Sequence, residues 1–259
     1  MQKLLSCDRQ HNPGYTPGAT FGFTRDRHYD LLVVAPGWKP TKILPPDFGN
    51  VTLTAAHSYI SGYEVEWDSK RIGWIQVAAG ACNLIDHLSL CAELDFDKLV
   101  FIGAVGGLKQ GFSVGDLCTP SFCIEGTMAS AYLQENISAF KPFDQVYPAD
   151  QPFVDSVLQH SNIPVKKASV FCTDSIFAEY YHLDFIKSFE TDLIEMETSA
   201  FYRMAALLEK PAIALLVVSD NSANGEPLLC KSDVQEQRYN YGRKVLIPKL
   251  LKQLCNIIT

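Results

Sequence analysis

Several familiar signatures are missing from this 259-residue sequence. Its six histidines show no HxxxH or HxH spacing, and its eight cysteines form no CxxC pair, so no metal site is expected. Cys7, Cys82, Cys91, Cys118, Cys123, Cys172, Cys230 and Cys255 are scattered, mostly within apolar segments. They read as buried thiols rather than a disulfide framework. No basic run offsets the formal net charge of −7, which argues against nucleic acid or an anionic membrane as partner. No apolar run is long enough to cross a bilayer. The opening stretch MQKLLSCDRQHNPGYTPG has no long apolar core of the kind a secretory signal carries, so the expected location is cytoplasmic. Neither GxGxxG nor a Walker pattern occurs, which removes a Rossmann oxidoreductase. There is no internal repeat and no low-complexity segment.

What is present is an apolar fraction of 47% in a chain long enough to bury a sizeable core. Residues 1–24, rich in Pro, Gly and aromatics, read as an irregular arm. From residue 25 to 259 strands and helices alternate without a linker, as one domain. DLLVVAP (30–36), KLVFIGAVGGL (98–108), KKASVFCTDS (166–175) and AIALLVVS (212–219) are continuous apolar strand signals of the kind buried on both faces. The glycines at 103, 106 and 107 suggest a turn closing the second of these. EVEWDSKRIGW predicts a hairpin turning at Asp68–Ser69. Helical spacing recurs over 81–94, after Met196, and over 234–254, where Pro248 is expected to kink the helix. These signals define the α/β class with a mostly parallel sheet.

In such sheets ligands collect at the carboxyl ends of strands. Three strand ends carry chemistry: FIGAVGGL, CTDSIF and VVSDN. The segment TDLIEMETSAF places Glu195 and Glu197 around Met196 at a helix start. Each feature has a local explanation. Asp192 with Glu195 can form a capping box, and Asp220 with Asn221 suits a turn. Their order and combination, however, resemble the nucleoside phosphorylase and nucleosidase superfamily, which spans hexameric-type purine nucleoside phosphorylases, uridine phosphorylases and methylthioadenosine/adenosylhomocysteine nucleosidases. The matching motifs are VVAPG, GAVGGL, VGDL, CTDSIF, EMETSAFYRMA and AIALLVVSD.

The resemblance implies a three-layer α/β/α sandwich around a mixed, mostly parallel sheet. It implies a homo-oligomer that takes a small nucleoside and breaks its N-glycosidic bond. By the family pattern, Glu197 accepts hydrogen bonds from the ribose hydroxyls and stabilises the oxocarbenium-like sugar. Glu195 assists, and Met196 packs under the sugar. Asp220 protonates the departing base, which needs a carboxyl raised by burial. Ile176 and Phe177 match base-contacting positions. A purine is favoured, because uridine phosphorylases carry a Gln and an Arg that CTDSIFAEYYH lacks.

The acceptor half departs from the family. Where phosphorylases place an Arg and a Ser or Thr, Phe101 and Ala104 stand. Gly37, Lys39, Lys42, His57 and a backbone nest at Gly106 are the candidates for holding phosphate. The acid with which nucleosidases activate water is missing from APGWKPTK, and Glu125 or His57 are its candidate replacements. The expected reaction is phosphorolysis with inorganic phosphate as co-substrate and no cofactor. Hydrolysis is the alternative, and a non-catalytic nucleoside-binding or storage protein is the alternative of another class.

Overall fold

A computed structural model describes residues 1–257 of the chain. The first residues are not an irregular arm. Helix α1 spans Gln2–His11 and α2 spans Pro17–Phe21. The Pro and Gly residues cluster at 13–18, leaving 2–11 free of helix breakers. Thr16 caps α2 by accepting from the Ala19 N–H at 3.1 Å, with Pro17 at its first position. Phe21 and Phe23 are fully buried in the main core, so this segment packs on its own chain.

Strand β1 (His28–Pro36) leads to a one-turn helix α3 (Pro40–Ile43), then β2 (Asn50–Ala56), β3 (Ser61–Trp67) and β4 (Lys70–Val77). The hairpin of β3 and β4 turns at Asp68 and Ser69, both at positive φ, the geometry a two-residue hairpin loop demands. After α4 (Ala81–Leu90) come β5 (Asp95–Gly107), β6 (Leu117–Glu125), the short β7 (Gln145–Val146) and α5 (Gln151–His160). Then follow β8 (Lys166–Cys172), α6 (Ile176–Glu179), α7 (Leu183–Lys187), β9 (Leu193–Glu195), α8 (Thr198–Leu208) and β10 (Ala212–Asn221). Helices α9 (Asp233–Tyr241) and α10 (Ile247–Asn256) close the described chain.

The strands form one mixed sheet in the order β10-β6-β8-β9-β5-β1-β4-β3-β2. Most of the paired length is parallel, through β1 with β4 and β5, β10 with β5, and β6 with β8. Because β10 also pairs with β5, the β5, β9, β8, β6 and β10 end closes on itself, while β4, β3 and β2 extend it as an antiparallel flank.

Side-chain alternation explains why the central strands are apolar throughout. In β1, Leu32 and Val34 enter one core cluster with Leu84 and Leu88 of α4 and Phe201 and Met204 of α8. Leu31, Val33 and Ala35 enter the other, with Val154 and Val157 of α5 and Leu250, Leu251 and Leu254 of α10. The result is three layers, with the apolar residues of the central strands buried against helices on both faces.

Two expectations need correction. The glycines after Phe101 do not make a turn: β5 runs extended through Gly107 and is paired on both sides there. A Cβ on Gly107 would lie 2.3 Å from the Asn221 side chain, and one on Gly106 would lie 3.2 Å from Asp220 Oδ2. These glycines permit close approach of β10 rather than chain reversal, and a paired strand leaves no concave nest of amides there. The C-terminal helix is interrupted before Pro248, by a π-type segment over Gly242–Leu246. Proline has no N–H for the carbonyl four residues earlier, so the ladder shifts ahead of it.

Candidate active site

A cleft of about 190 Å³ lies at the carboxyl ends of β1, β5, β9 and β10 and just beyond β8. It is the location expected for a ligand in an α/β sheet. Its walls bring together Gly106, Ile176, Glu195, Met196, Glu197 and Asp220.

The two glutamates of the EME segment do different things. Glu195 ends β9, and its carboxylate accepts from the backbone N–H of Glu197 at 2.8 Å and of Thr198 at 3.0 Å. It also accepts from the Thr198 hydroxyl at 2.7 Å and the Cys172 thiol at 2.9 Å. It therefore satisfies the orphan donors that open α8. Burial, the neighbouring Cys172 and the Glu197 charge push its carboxyl up, opposed by the Thr198 hydroxyl. With its oxygens engaged in this way, a direct hydrogen bond to a sugar hydroxyl competes with the helix start. Asp192 is not its capping partner, since α8 begins only at Thr198. The Asp192 carboxylate instead accepts from Ser169 N and Oγ, both at 2.9 Å, and pairs with Lys109.

Glu197 is also buried, and Oε1 accepts from the Gly80 N–H at 2.5 Å. Gly80 precedes α4 at φ 103°, a conformation that suits glycine. Glu197 Oε2 makes no hydrogen bond among the described residues, so one oxygen is anchored and the other is available to the cleft. Burial raises this carboxyl, and the Gly80 N–H works the other way.

Asp220 sits at a register shift between β10 and β5. Such irregularities re-aim side chains. Its Oδ1 accepts from Ser219 Oγ at 2.5 Å. Burial raises its carboxyl, with the Ser219 bond and the Lys231 charge opposing.

Ile176 faces the cleft, but Phe177 does not line it and is 94% exposed. Successive helix residues point about 100° apart, so Ile176, Glu179 and Tyr180 share the inward face of α6 and Phe177 lies off it. Glu179 escapes motif reading altogether. Its i+3 spacing from Ile176 is the signal that finds it, once the start of α6 is known.

The acceptor candidates are not gathered here. Lys39 and Lys42 are exposed and absent from the lining, as is Gly37, although its neighbours Pro36 and Trp38 line the cleft. His57 is exposed on the turn between β2 and β3. Glu125 is buried in an ion pair with Arg203 at 2.6 Å and does not line the cleft. His28 lies at the amino end of β1, away from the cleft, beside Asp95 and Asp97. It comes close to Asp97 and Asp30, but both Asp30 oxygens already accept from Lys70 and the Arg71 N–H, each at 2.8 Å. Phe101 and Ala104 do line the cleft. Among the described lining residues there is no Lys, Arg or His.

A three-layer α/β chain with buried carboxyls meeting at its strand ends defines a class of small-molecule enzyme site. Comparison narrows the class. Residues 72–246 match the model of the phosphorylase superfamily, and the chain belongs to that family. A DeoD-type purine nucleoside phosphorylase of Brevibacillus brevis is 30% identical over 186 residues, covering 69% of this chain and 75% of that relative. One from Bacillus velezensis is 26% identical over 169 residues, covering 64% and 70%. Among solved structures, uridine phosphorylase from Vibrio fischeri ES114 superposes with a TM-score of 0.71 at 14% identity, covering 94% of this chain and 99% of the other. The 5′-methylthioadenosine/S-adenosyl homocysteine nucleosidase of Campylobacter jejuni gives 0.68 at 16% identity, covering 88% and 98%. The structural likenesses bear on fold, and the family match on ancestry.

Proposed function

We propose that this protein cleaves the N-glycosidic bond of a purine nucleoside and releases the free base. The observation that carries this is the pairing of Glu197 and Asp220 across one cleft, the first anchored at one oxygen by Gly80 and the second desolvated beside Ser219. As the C1′–N9 bond breaks, positive charge develops on the sugar and electrons leave with the base. The free oxygen of Glu197 accepts from the ribose hydroxyls and lies where that charge grows. Asp220, raised by burial, gives its proton to N7 of the departing purine. Met196 supplies the apolar contact under the sugar. Glu195 acts through Glu197 and the start of α8 rather than on the sugar itself.

The acceptor in this reading is inorganic phosphate, whose oxygen forms the new bond to C1′ and yields ribose 1-phosphate. The names of the relatives support it. No resident cofactor is invoked. One observation favours a second reading, with water as acceptor. The described lining residues include four carboxyls and no cation, an arrangement that repels a phosphate dianion. A non-catalytic storage role fits less well, since a binder has little use for a desolvated acid at the leaving group.

Among the described residues no helix is long and apolar enough to cross a membrane. We place the protein in the cytoplasm as a homo-oligomer, acting on small molecules without nucleic acid or membrane. The test is base release from a panel of purine and pyrimidine nucleosides, with and without phosphate. Phosphate-dependent purine release is the expected result. Phosphate-independent release moves the assignment to hydrolysis, and binding without release overturns the enzymatic reading.

A further inference from the structure

We propose that Glu179 determines base specificity: its carboxylate accepts the exocyclic amino group of a 6-aminopurine while Asp220 engages the adjacent ring nitrogen, so the cleft takes aminopurines in preference to oxopurines. The proposal rests on the nucleoside-cleaving reading only for the location of the base, at Asp220.

Glu179 closes α6 and lines the same cleft as Asp220, which approaches from the end of β10. Its backbone N–H bonds to Ser175 O within the helix. Its carboxylate accepts no hydrogen bond and pairs with no cation among the described residues. A half-buried carboxyl without partners is costly unless a ligand supplies them. The two acids feel each other: desolvation and the Asp220 charge raise Glu179 to about 7. Lys231, the cation acting on Asp220, donates to Leu228 O and lies 5.5 Å from the centre of the Tyr239 ring.

The remaining polar groups of the lining leave this end rich in acceptors. Ser219 Oγ is committed to Asp220, and Thr173 Oγ1 to the Ser175 backbone. The lining contains no amide side chain and no cation. Tyr180, on the rim and 56% exposed, holds the remaining phenolic donor. With Asp220 charged beside it Glu179 is raised; when Asp220 carries the proton that it donates to a ring nitrogen, that charge is gone and Glu179 is freed to ionise and accept. An aminopurine presents the complement, a ring-nitrogen acceptor beside an N–H donor. An oxopurine presents two acceptors, and its carbonyl oxygen meets the Glu179 carboxylate without a proton between them. Sites that pair one hydrogen-bonding pattern reject its inverse because groups are left unsatisfied.

Titration calorimetry with the free bases adenine and hypoxanthine on the full chain tests this, with Glu179→Gln and Glu179→Ala beside the wild type. The wild type should bind adenine about tenfold more tightly than hypoxanthine, the effect of one charge-assisted hydrogen bond. Glu179→Gln, which can turn an amide N–H toward the carbonyl, should bring that ratio close to one. Glu179→Ala should lose adenine affinity without gaining hypoxanthine. A wild-type ratio near one or inverted, a Glu179→Gln ratio within twofold of wild type, or no binding of either base overturns the proposal. Adenosine and inosine turnover, measured in parallel, separates the two readings. Retained base discrimination without nucleoside cleavage sinks the cleavage reading and leaves this one standing. Cleavage with an unchanged ratio in the variants does the reverse.

Discussion

The cleft has two acidic walls that are built in opposite ways. On the β9–α8 side, Glu195 is held by the Glu197 and Thr198 amides, the Thr198 hydroxyl and the Cys172 thiol, and Glu197 by the Gly80 amide. On the α6–β10 side, Asp220 has one hydroxyl partner and Glu179 has none among the described residues. The first wall is over-determined and fixes positions, the condition for stabilising charge that develops at a defined point. The second wall is under-partnered, which raises both carboxyls and leaves hydrogen-bonding capacity for a ligand.

The strongest way to break this contrast is to remove the proton donor. Asp220→Asn should lower kcat for purine nucleosides by about 10³-fold, within the range for loss of general acid catalysis, while changing nucleoside affinity by less than about threefold. Steady-state kinetics with equilibrium binding on the same samples checks both numbers, and unchanged turnover defeats the assignment. Because burial raises Asp220, wild-type turnover should fall as pH rises through its folded value, and the variant should lose that limb. Glu197→Gln should cost about 10²-fold in kcat/KM, with affinity also weakened, because a charge-assisted contact to the sugar is lost in both ground and transition states.

Glu195 tests the structural side of the comparison. Glu195→Ala strands the buried amides of Glu197 and Thr198 and should destabilise the fold by about 2–3 kcal/mol, read from urea denaturation. Glu195→Gln retains acceptor capacity at one atom and should cost about half as much. If Glu195→Gln instead abolishes turnover at full stability, Glu195 touches the substrate and the two walls are less distinct than described.

The under-partnered wall carries a pH signature of its own. Glu179 rises from an ordinary value of 4.5 to about 7. Between those values the folded chain holds a proton that the unfolded chain releases, so the contribution to stability is complete below about 4.5 and is lost as pH climbs through 7. Glu179→Gln removes that slope. After allowance for solvent screening of a half-exposed group, it should be more stable than wild type by about 1–2 kcal/mol at pH 8 and nearly equal at pH 4. Parallel urea titrations at the two pH values decide it. A constant difference between them would show that Glu179 titrates normally.

This contrast also explains what could be read from the sequence. Strands β1, β5, β8 and β10 are apolar on both faces, and the Asp68–Ser69 turn is written in residue types. The floor of the site is encoded in a contiguous segment, so EMET could be found by eye. The roles inside that segment could not, because whether Glu195 faces a ligand or the amides of α8 depends on where β9 stops and α8 starts. The glycines of β5 were ambiguous for a similar reason. A tight turn and a close strand approach demand the same residue, and only the position of Asn221 against Gly107 separates them. Glu179 was invisible because its relation to Asp220 runs between strand ends that are distant in sequence. Helix α1 carries little signal in the sequence, because Pro and Gly at 13–18 follow so closely on residues 2–11 that the segment as a whole resembles a loop.

The smallest expected effect concerns Phe177, which family resemblance assigns to the base and which α6 turns to solvent at 94% exposure. An exposed ring contributes little to the fold of its own chain, and one off the inward face of α6 cannot stack on a base held between Glu179 and Asp220. Phe177→Ala should leave stability within about 0.5 kcal/mol of wild type. Adenine affinity should stay within about twofold, whereas Ile176→Ala, on the inward face, should weaken it by about fivefold through lost apolar contact. Calorimetry on the two variants ranks the residues. If Phe177→Ala is the more damaging, the second wall of the cleft includes the outward face of α6, and its lack of partners belongs to the isolated chain rather than to the site.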